Sequence, residues 1–345
     1  MAGAFGALRA KLKSTPKVWL VSGVAGFIGS HLLEELLGLG QVVRGLDNFS
    51  TGRRTNLDEV HTKVGSEAWR NFSLVEGDLC DECACREALQ GVEVVLHQAA
   101  FGSVPRSISD PVASNACNVG GFLNLVWAAK HAGVKRFVYA SSSAVYGDSP
   151  ELPKREEHLG MPLSPYAVTK LADELYAGVF ARLYEMEFIG LRYFNVFGPR
   201  QDPDGPYAAV IPRWIKALLR GEDCVIFGDG ETSRDFCYVA NAVQANILAG
   251  AARRTPEALN RVFNVSYGKQ TTLNQLFGLI RDELERRGVI SKGRCARHTD
   301  FRAGDVRHSC ADISAIKRLL GYEPEVSLAQ GLHKTLDWYL AGVRG

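Results

Sequence analysis

Two side chains four residues apart carry the most specific chemistry in this chain. Tyr166 and Lys170 lie in the run Ser164-Pro165-Tyr166-Ala167-Val168-Thr169-Lys170. Ser164 suits a helix cap and Pro165 the first helical turn, so the spacing predicts both side chains on one helical face. A free phenol titrates at about 10 and is a poor base at neutral pH; a neighbouring ammonium stabilises its phenolate. The pair therefore reads as a general base with its electrostatic activator. Upstream, Tyr139-Ala140-Ser141-Ser142-Ser143-Ala144-Val145-Tyr146-Gly147 supplies hydroxyls able to relay or share that proton. Alone, a serine run is an ordinary turn and Tyr-x-x-x-Lys a chance spacing. They gain weight from the glycine run Gly23-Val24-Ala25-Gly26-Phe27-Ile28-Gly29 near the N-terminus. Glycines there permit a tight turn and let backbone N–H groups approach a pyrophosphate at a helix N-terminus. Asp47, about 20 residues on, is placed to bond the adenine ribose hydroxyls, which favours NAD over NADP. The nearby Arg53 and Arg54 temper that preference.

The elements that must position these residues follow from periodicity. Short apolar runs at 17–22, 41–46, 71–75, 92–97, 136–140 and 188–194 read as strands, with helical patterns between them. The glycine run falls between the first strand and a helix carrying Ile28, Leu32, Leu33, Leu36 and Leu37, which Gly40 stops. A helix at 118–131 precedes the fifth strand, and the serine run follows that strand. Alternating strands and helices predict an α/β fold, a Rossmann-type doubly wound parallel sheet, with ligands at the strands' C-terminal ends. From about Gly198 the texture changes to a Pro/Gly/Asp-rich loop and then shorter strands, such as 223–227. We expect an N-terminal helical extension over 1–16, an NAD-binding sheet over 17–198, and a smaller α/β substrate-binding lobe over 199–345, with chain crossing back to the first lobe.

Composition bounds the function. The chain has 345 residues, a formal charge of +2, 46% hydrophobic and 23% charged residues. That is ordinary globular usage with no electrostatic case for nucleic acid. No apolar run reaches the roughly 18 residues of a membrane span, so no membrane partner and a cytoplasmic location are expected. The 8 Cys are scattered apart from Cys80, Cys83 and Cys85. No second cluster follows at ligand spacing, so no metal is expected.

Together these residues resemble the extended short-chain dehydrogenase/reductase family, and within it the UDP-hexose 4-epimerases, over nearly the whole chain from about Lys17 to about Tyr339. The matching motifs run in order from the glycine turn through Leu46-Asp47-Asn48-Phe49-Ser50-Thr51-Gly52, Gly77-Asp78, His97-Gln98-Ala99-Ala100 and Asn118 to the serine motif and Tyr166 with Lys170. Beyond them come 191–198, Gly228-Asp229-Gly230, Arg234-Asp235-Phe236 and Arg302-Ala303-Gly304-Asp305. The resemblance implies tightly bound NAD held by Gly23, Gly26, Phe27, Ile28 and Gly29 and by Asp47, Asn48, Phe49, Ser50, Thr51 and Gly52. Asp78 and Leu79 would flank the adenine. Gln98, Ala99, Ala100, Asn118 and Tyr193 would line the rest of the cofactor path with Tyr166 and Lys170. Ser142 matches the catalytic Ser/Thr. A UDP-sugar is the implied substrate, its diphosphate on Asn195, Arg234 and Arg302 and its ribose near Asp305. Ser103, Ser143, Ala209, Val210, Val225, Phe227 and Ser309 are the remaining substrate positions. A homodimer is the default assembly.

Two departures bear on the sugar. Where the plain-hexose epimerases carry a lysine after Ala99-Ala100-Phe101, this chain has Gly102. Where they carry a bulky tyrosine four residues after Asp305, it has Ser309. Both resemble the subgroup that prefers N-acetylated sugars, and they imply reversible C4 epimerisation of UDP-N-acetylglucosamine and UDP-N-acetylgalactosamine with weaker action on UDP-glucose and UDP-galactose. Arg106 can either pair with a sugar carboxylate, which keeps a UDP-N-acetyl-hexosaminuronate 4-epimerase as the alternative, or bridge to Asp110. A 4,6-dehydratase would want an acidic pair where Ser143 and Ala144 stand. A UDP-glucuronate decarboxylase and a non-enzymatic NAD-binding sensor are the further alternatives.

Overall fold

The computed structural model describes residues 3–204, 208–251, 255, 257–301 and 306–344. In chain order α1 (Ala4–Ser14) leads into β1 (Val18–Ser22), α2 (Phe27–Gly38), β2 (Val42–Asp47), α3 (Arg54–Trp69), β3 (Phe72–Glu76), α4 (Glu82–Ala88) and β4 (Val94–His97). Short helices α5 (Val104–Ser109) and α6 (Pro111–Asn115), then one π-turn (Ala116–Gly120), precede α7 (Gly121–His131) and β5 (Arg136–Ser142). A 3₁₀ turn (Ser143–Tyr146) is followed by α8 (Pro165–Tyr184), β6 (Glu187–Tyr193) and β7 (Val196–Phe197). The remainder is α9 (Val210–Leu219), β8 (Val225–Phe227), β9 (Ser233–Asp235), β10 (Cys237–Tyr238), α10 (Val239–Ala251), β11 (Arg261–Val265), β12 (Gln270–Thr272), α11 (Leu273–Arg286), β13 (Arg297–Thr299), α12 (Ser314–Leu320) and α13 (Leu328–Arg344).

Seven of these strands form one parallel sheet in the order β11-β6-β5-β4-β1-β2-β3. Helices cover both faces, so the central strands are apolar throughout: Trp19, Leu20 and Val21 of β1 are fully buried. The six strands read from the sequence are β1 to β6, within about two residues at each end. The seventh, β11, joins by pairing with β6 after the chain has left for the later segments. Strand order reverses between β1 and β4, which opens a crevice at the strands' C-terminal ends.

The later segments gather around a second cluster, in which Ile211, Trp214, Ile215 and Leu218 of α9 meet Leu276, Phe277, Ile280 and Leu284 of α11. Small two-stranded pairings stitch it together: β7 with β10, β8 with β13, β9 with β12. The N-terminal helix is docked on the sheet's flank. Its Leu12 is buried, and Gln41 ties it down by donating to the Leu12 carbonyl at 2.8 Å while accepting from the Trp19 indole at 3.1 Å.

Candidate active site

The crevice holds a cleft of about 1030 Å³. Its floor starts at the glycine turn. A Cβ on Gly29 would lie 2.0 Å from the Gly23 carbonyl oxygen, and one on Gly23, which has φ of +69°, 2.8 Å from the Ala99 backbone. Among the described residues no side chain caps the N-terminus of α2, and the first amides of that helix face the cleft with the dipole's positive end behind them. Asp47 fixes this turn against β2: its carboxylate accepts from Ala25 N at 2.9 Å and Phe49 N at 2.8 Å. Burial pushes the Asp47 carboxyl up, and those two amides hold it down. Asn48 donates to Asp78 at 2.6 Å beside it. Arg53 and Arg54, the cations near this edge, are committed to Asp202 and Glu76, each at 2.6 Å. The closed glycine turn, open helix end and carboxylate edge fit the two halves of a dinucleotide without a 2′-phosphate.

Opposite the turn, α8 presents Tyr166 and Lys170 as the sequence predicts. Ser164 caps the helix by accepting from Ala167 N at 3.2 Å, and Ser107 of α5 accepts from Tyr166 N at 3.0 Å. Lys170 is buried to 1% exposure and donates to Asp173 Oδ2 at 3.2 Å. Burial works against the Lys170 charge, but Asp173 and then Tyr166 outweigh it, and its value ends above the ordinary one. Burial raises Asp173 to about 6 against the pull of Lys170. The lysine therefore stays cationic at neutral pH, the state in which an ammonium would stabilise a neighbouring phenolate.

The serine run sits at the end of β5. Ser142 accepts from Ala144 N at 3.1 Å, which turns the chain so that Ser142, Ser143 and Ala144 all face the cleft. Beneath them Ser141 donates to Glu174 at 2.5 Å, and Glu174 holds Arg192 at 2.7 Å, a buried brace between α8, β5 and β6. His97, at the end of β4, bonds Ser22 at 2.7 Å; burial above all, with Lys170 nearby, lowers it to about 3, so it is neutral. Gln98, Tyr193 and Asn246 close a hydrogen-bonded triangle, with Tyr193 donating to Gln98 at 2.9 Å and Asn246 to Tyr193 at 2.7 Å.

Most sequence-predicted positions meet in this one cleft. Its lining includes Gly23, Gly26, Phe27, Ile28 and Gly29, then Asp47, Asn48, Ser50, Thr51, Gly52, Asp78 and Leu79. It continues through Gln98, Ala99, Ala100, Tyr193, Tyr166 and Lys170 to Ser142, Ser143, Asn195, Arg234 and Ser309. The structure does not bring every candidate there. Phe49 lies under the Arg54 guanidinium, 4.1 Å from its ring centre. Asn118 is buried in the π-turn, bonded to Phe101 N at 2.8 Å and Thr169 at 3.1 Å, so it ties the cleft wall together from behind. Ser103 caps α5 by accepting from Arg106 N at 3.2 Å. Ala209 and Val210 start α9, and Val225 and Phe227 lie on β8; none of the four is on the cleft lining. Arg302 and Asp305 lie outside the described residues. Arg106 does not pair with Asp110: its guanidinium stacks 3.6 Å from the Phe101 ring centre, while Asp110 caps α6. Cys80 and Cys83 are exposed and Cys85 buried, its thiol pushed up to about 12 chiefly by burial.

Residues not anticipated from the sequence also line the cleft, among them Phe101, Cys117, Tyr146, Lys154, Leu163 and Val306. Asp173 was equally unforeseen, although a carboxylate three residues after Lys170 on one helix was a readable signal.

A parallel sheet with its cleft at the strand-order reversal, a glycine-closed turn and a Tyr/Lys pair define a nicotinamide-dinucleotide enzyme of the short-chain dehydrogenase type. Residues 19–266 match the NAD dependent epimerase/dehydratase family, and the chain belongs to that family. It is 37% identical to a UDP-glucose 4-epimerase of Mycolicibacterium smegmatis over 93% of this chain and 97% of that one. Among solved structures, a UDP-N-acetylglucosamine 4-epimerase from Methanobrevibacter ruminantium in complex with UDP-N-acetylmuramic acid superposes with a TM-score of 0.86 at 39% identity, covering 95% of this chain and 99% of that one. A UDP-glucuronic acid 4-epimerase from Bacillus cereus in complex with UDP-glucuronic acid and NAD gives 0.81 at 31% identity, covering 94% and 99%. The chain is thus an NAD-dependent enzyme, and the resemblance read from its motifs holds.

Proposed function

We propose that this enzyme is a UDP-sugar 4-epimerase that accepts N-acetylated hexosamines, interconverting UDP-N-acetylglucosamine and UDP-N-acetylgalactosamine. The observation that carries the sugar preference is the room at the sugar end of the cleft. Gly102 and Ser309 both line it, and a Cβ built on Gly102 meets nothing within 4 Å among the described residues. An acetamido group needs such space, and the related epimerases named above act on sugars with and without that group.

The chain's residues divide the work as follows. The amides at the start of α2 and the Asp47 edge hold the dinucleotide, with Ser50, Thr51, Gly52, Asp78 and Leu79 around its adenosine. Asn195, Arg234 and, beyond the described residues, Arg302 hold the UDP diphosphate. Tyr166, kept competent by Lys170, takes the proton from the 4-hydroxyl directly or through Ser142. NAD, when bound, accepts the C4 hydride and returns it. The roomy sugar end lets the 4-keto sugar turn and present its other face, and Tyr166 then gives the proton back. Ser143 and Ala144, which stand where a dehydratase would want acids, add no proton-transfer group of that kind.

We further propose a division into an N-terminal helical extension (1–16), an NAD-binding part (17–198, completed by β11) and a mainly UDP-sugar-binding part (199–345). We propose a homodimer through α8, where Val168, Leu175, Tyr176, Val179 and Leu183 form an exposed apolar stripe. Eight free cysteines support a reducing, cytoplasmic compartment; no helix among the described residues is long and apolar enough to cross a membrane.

The test is a comparison of kcat/KM for UDP-N-acetylgalactosamine and UDP-galactose. The reading expects the acetylated sugar to be favoured. A clear preference for UDP-galactose contradicts it.

A further inference from the structure

Tyr166 and Lys170 have a buried neighbour with no task in the reaction as described so far. Asp173 lies one turn beyond Lys170 on α8, fully buried, and its Oδ2 accepts from the Lys170 ammonium at 3.2 Å. The i, i+3 spacing sets the two side chains on one helical face. That hydrogen bond spends one of the three ammonium donors on the core and leaves two for the cleft, which Lys170 lines together with Tyr166. Asp173 does not line the cleft, so it reaches the site through Lys170.

The other groups that the elements around α8 bring to this pair are neutral, already bound, or of the same sign as Lys170. From β4, His97 is neutral, lowered to about 3 by burial above all and then by Lys170. From β5, burial holds the Tyr139 phenol well above its ordinary value. From the π-turn, burial raises the Cys117 thiol. From the 3₁₀ turn, burial pushes Tyr146 up to about 12, and its hydroxyl is shared between Arg192 of β6 and Asn264. On α8 itself, Glu174 is bound to that same Arg192 at 2.7 Å. Asp110 caps α6, Arg106 of α5 stacks on Phe101, and Lys130 of α7 lies by Tyr184 at the far end of α8. Among the described residues this leaves Asp173 as the counter-charge of Lys170. Burial works against the Lys170 charge, and Asp173, ahead of Tyr166, is the largest of the influences that outweigh it. Burial raises Asp173 itself to about 6, so it is still ionised at neutral pH.

We propose that Asp173 is a positioning residue for the proton transfer at the 4-hydroxyl: it fixes the Lys170 ammonium in place and keeps it charged, so that Tyr166 retains its electrostatic partner across the working pH range. The inference rests on reading Tyr166 as the base. Without the carboxylate the ammonium stays buried among neutral groups and a second cation, and burial favours the uncharged amine. An uncharged amine gives a phenolate no electrostatic support, so turnover fails at a pH where the wild type still runs. Asp173 lies behind Lys170 and off the cleft surface, so binding of the sugar nucleotide is left as it was.

The test is a pH series on the NAD-loaded protein with two readouts. The first is kcat for UDP-N-acetylgalactosamine. In wild type it should hold level up to about pH 10, the ordinary lysine range. In Asp173→Asn the alkaline limb should move down by roughly 1–3 pH units, the reach of one opposite charge at this distance, with KM at neutral pH nearly unchanged. The second readout is the Lys170 side-chain NMR signal in protein isotopically labelled at the lysine Cε, assigned by its loss in Lys170→Met. It should titrate in or above the ordinary range in wild type and lower, by the same shift, in Asp173→Asn. A purely structural part for Asp173 would scale kcat down at every pH, in step with the fraction of protein that retains NAD, and leave both titrations where they were; that result overturns the proposal. A wild-type Lys170 signal that titrates at about pH 8 or below overturns it too, even if the Asn variant fails to fold. Failure of the base reading shows differently, as near-wild-type turnover in Tyr166→Phe, and with no turnover on this sugar the NMR titration alone decides.

Discussion

Removing the carboxylate beside Lys170 perturbs the site where its energetics are most exposed to test. The side chains of Lys170 and Asp173 are each 1% exposed and meet at 3.2 Å. Asp173→Ala leaves the ammonium buried without a carboxylate, and losing one partner of a buried pair costs about 3–5 kcal/mol. For a chain of this size 1 kcal/mol corresponds to roughly 2 °C in Tm, so a fall of about 6–10 °C is expected. Asp173→Ala combined with Lys170→Met removes both charges and should melt above the single variant, because two apolar groups carry no desolvation cost. Thermal scans by circular dichroism, with saturating NAD and without it, separate this effect from cofactor linkage. The pH dependence adds a second reading. Burial holds Asp173 at about 6 in the folded state, above its unfolded value, so the folded protein binds more protons between about pH 4 and pH 6. Stability contributed at this position is therefore present at the acid end of that window and declines as pH rises through it. The Tm difference between wild type and the non-titrating Asp173→Asn should shrink or reverse from pH 4 to pH 6. A single Ala variant within 2 °C of wild type, or a double variant that melts no higher, refutes the reasoning.

Three more outcomes follow from the geometry. Gly29→Ala places a methyl 2.0 Å from the Gly23 carbonyl oxygen, so the purified protein should carry far less NAD by absorbance and lose turnover in proportion; a normal NAD content would show that the turn does not hold the cofactor. Ser309→Tyr should lower kcat/KM for UDP-N-acetylgalactosamine about tenfold more than for UDP-galactose, since filling the space for one acetamido group is worth ~1–3 kcal/mol; equal losses on both sugars sink the selectivity argument. Leu175→Lys, in the middle of the exposed α8 stripe, should shift the protein toward monomer in analytical ultracentrifugation while leaving Tm nearly unchanged, because Leu175 is 66% exposed in the single chain. An unchanged mass distribution would contradict a dimer contact through α8.

The sheet and the placement of Tyr166 and Lys170 on one helix at the cleft were legible because local signals and long-range demands agree. Strands buried on both faces read as unbroken apolar runs, and the glycine turn, Ser164 cap and Tyr166–Lys170 spacing each follow from chemistry within a few residues. β11 was legible only as a crossing back, since its pairing with β6 joins residues far apart in sequence. Asn118 shows the limit of motif carry-over: it sits where the motif places it, yet its amide spans Phe101 and Thr169 behind the cleft wall. Arg106 had two polar fates in prospect and took a third, on the face of Phe101, a contact no charge pattern announces. Lys154 carries no motif of its own in the sequence; the pairing of its backbone with the 310–312 segment is what sets it, buried, at the cleft.

The central claim is that C4 of a UDP-N-acetylhexosamine is oxidised and reduced again within one closed site. The most direct test is to incubate the purified protein, with no NAD added, with UDP-N-acetylgalactosamine deuterated at C4 and follow the sugar by proton NMR. The account predicts UDP-N-acetylglucosamine that keeps its deuterium at C4. Product carrying solvent hydrogen at C4, or no product on this sugar even after NAD is supplied, contradicts it.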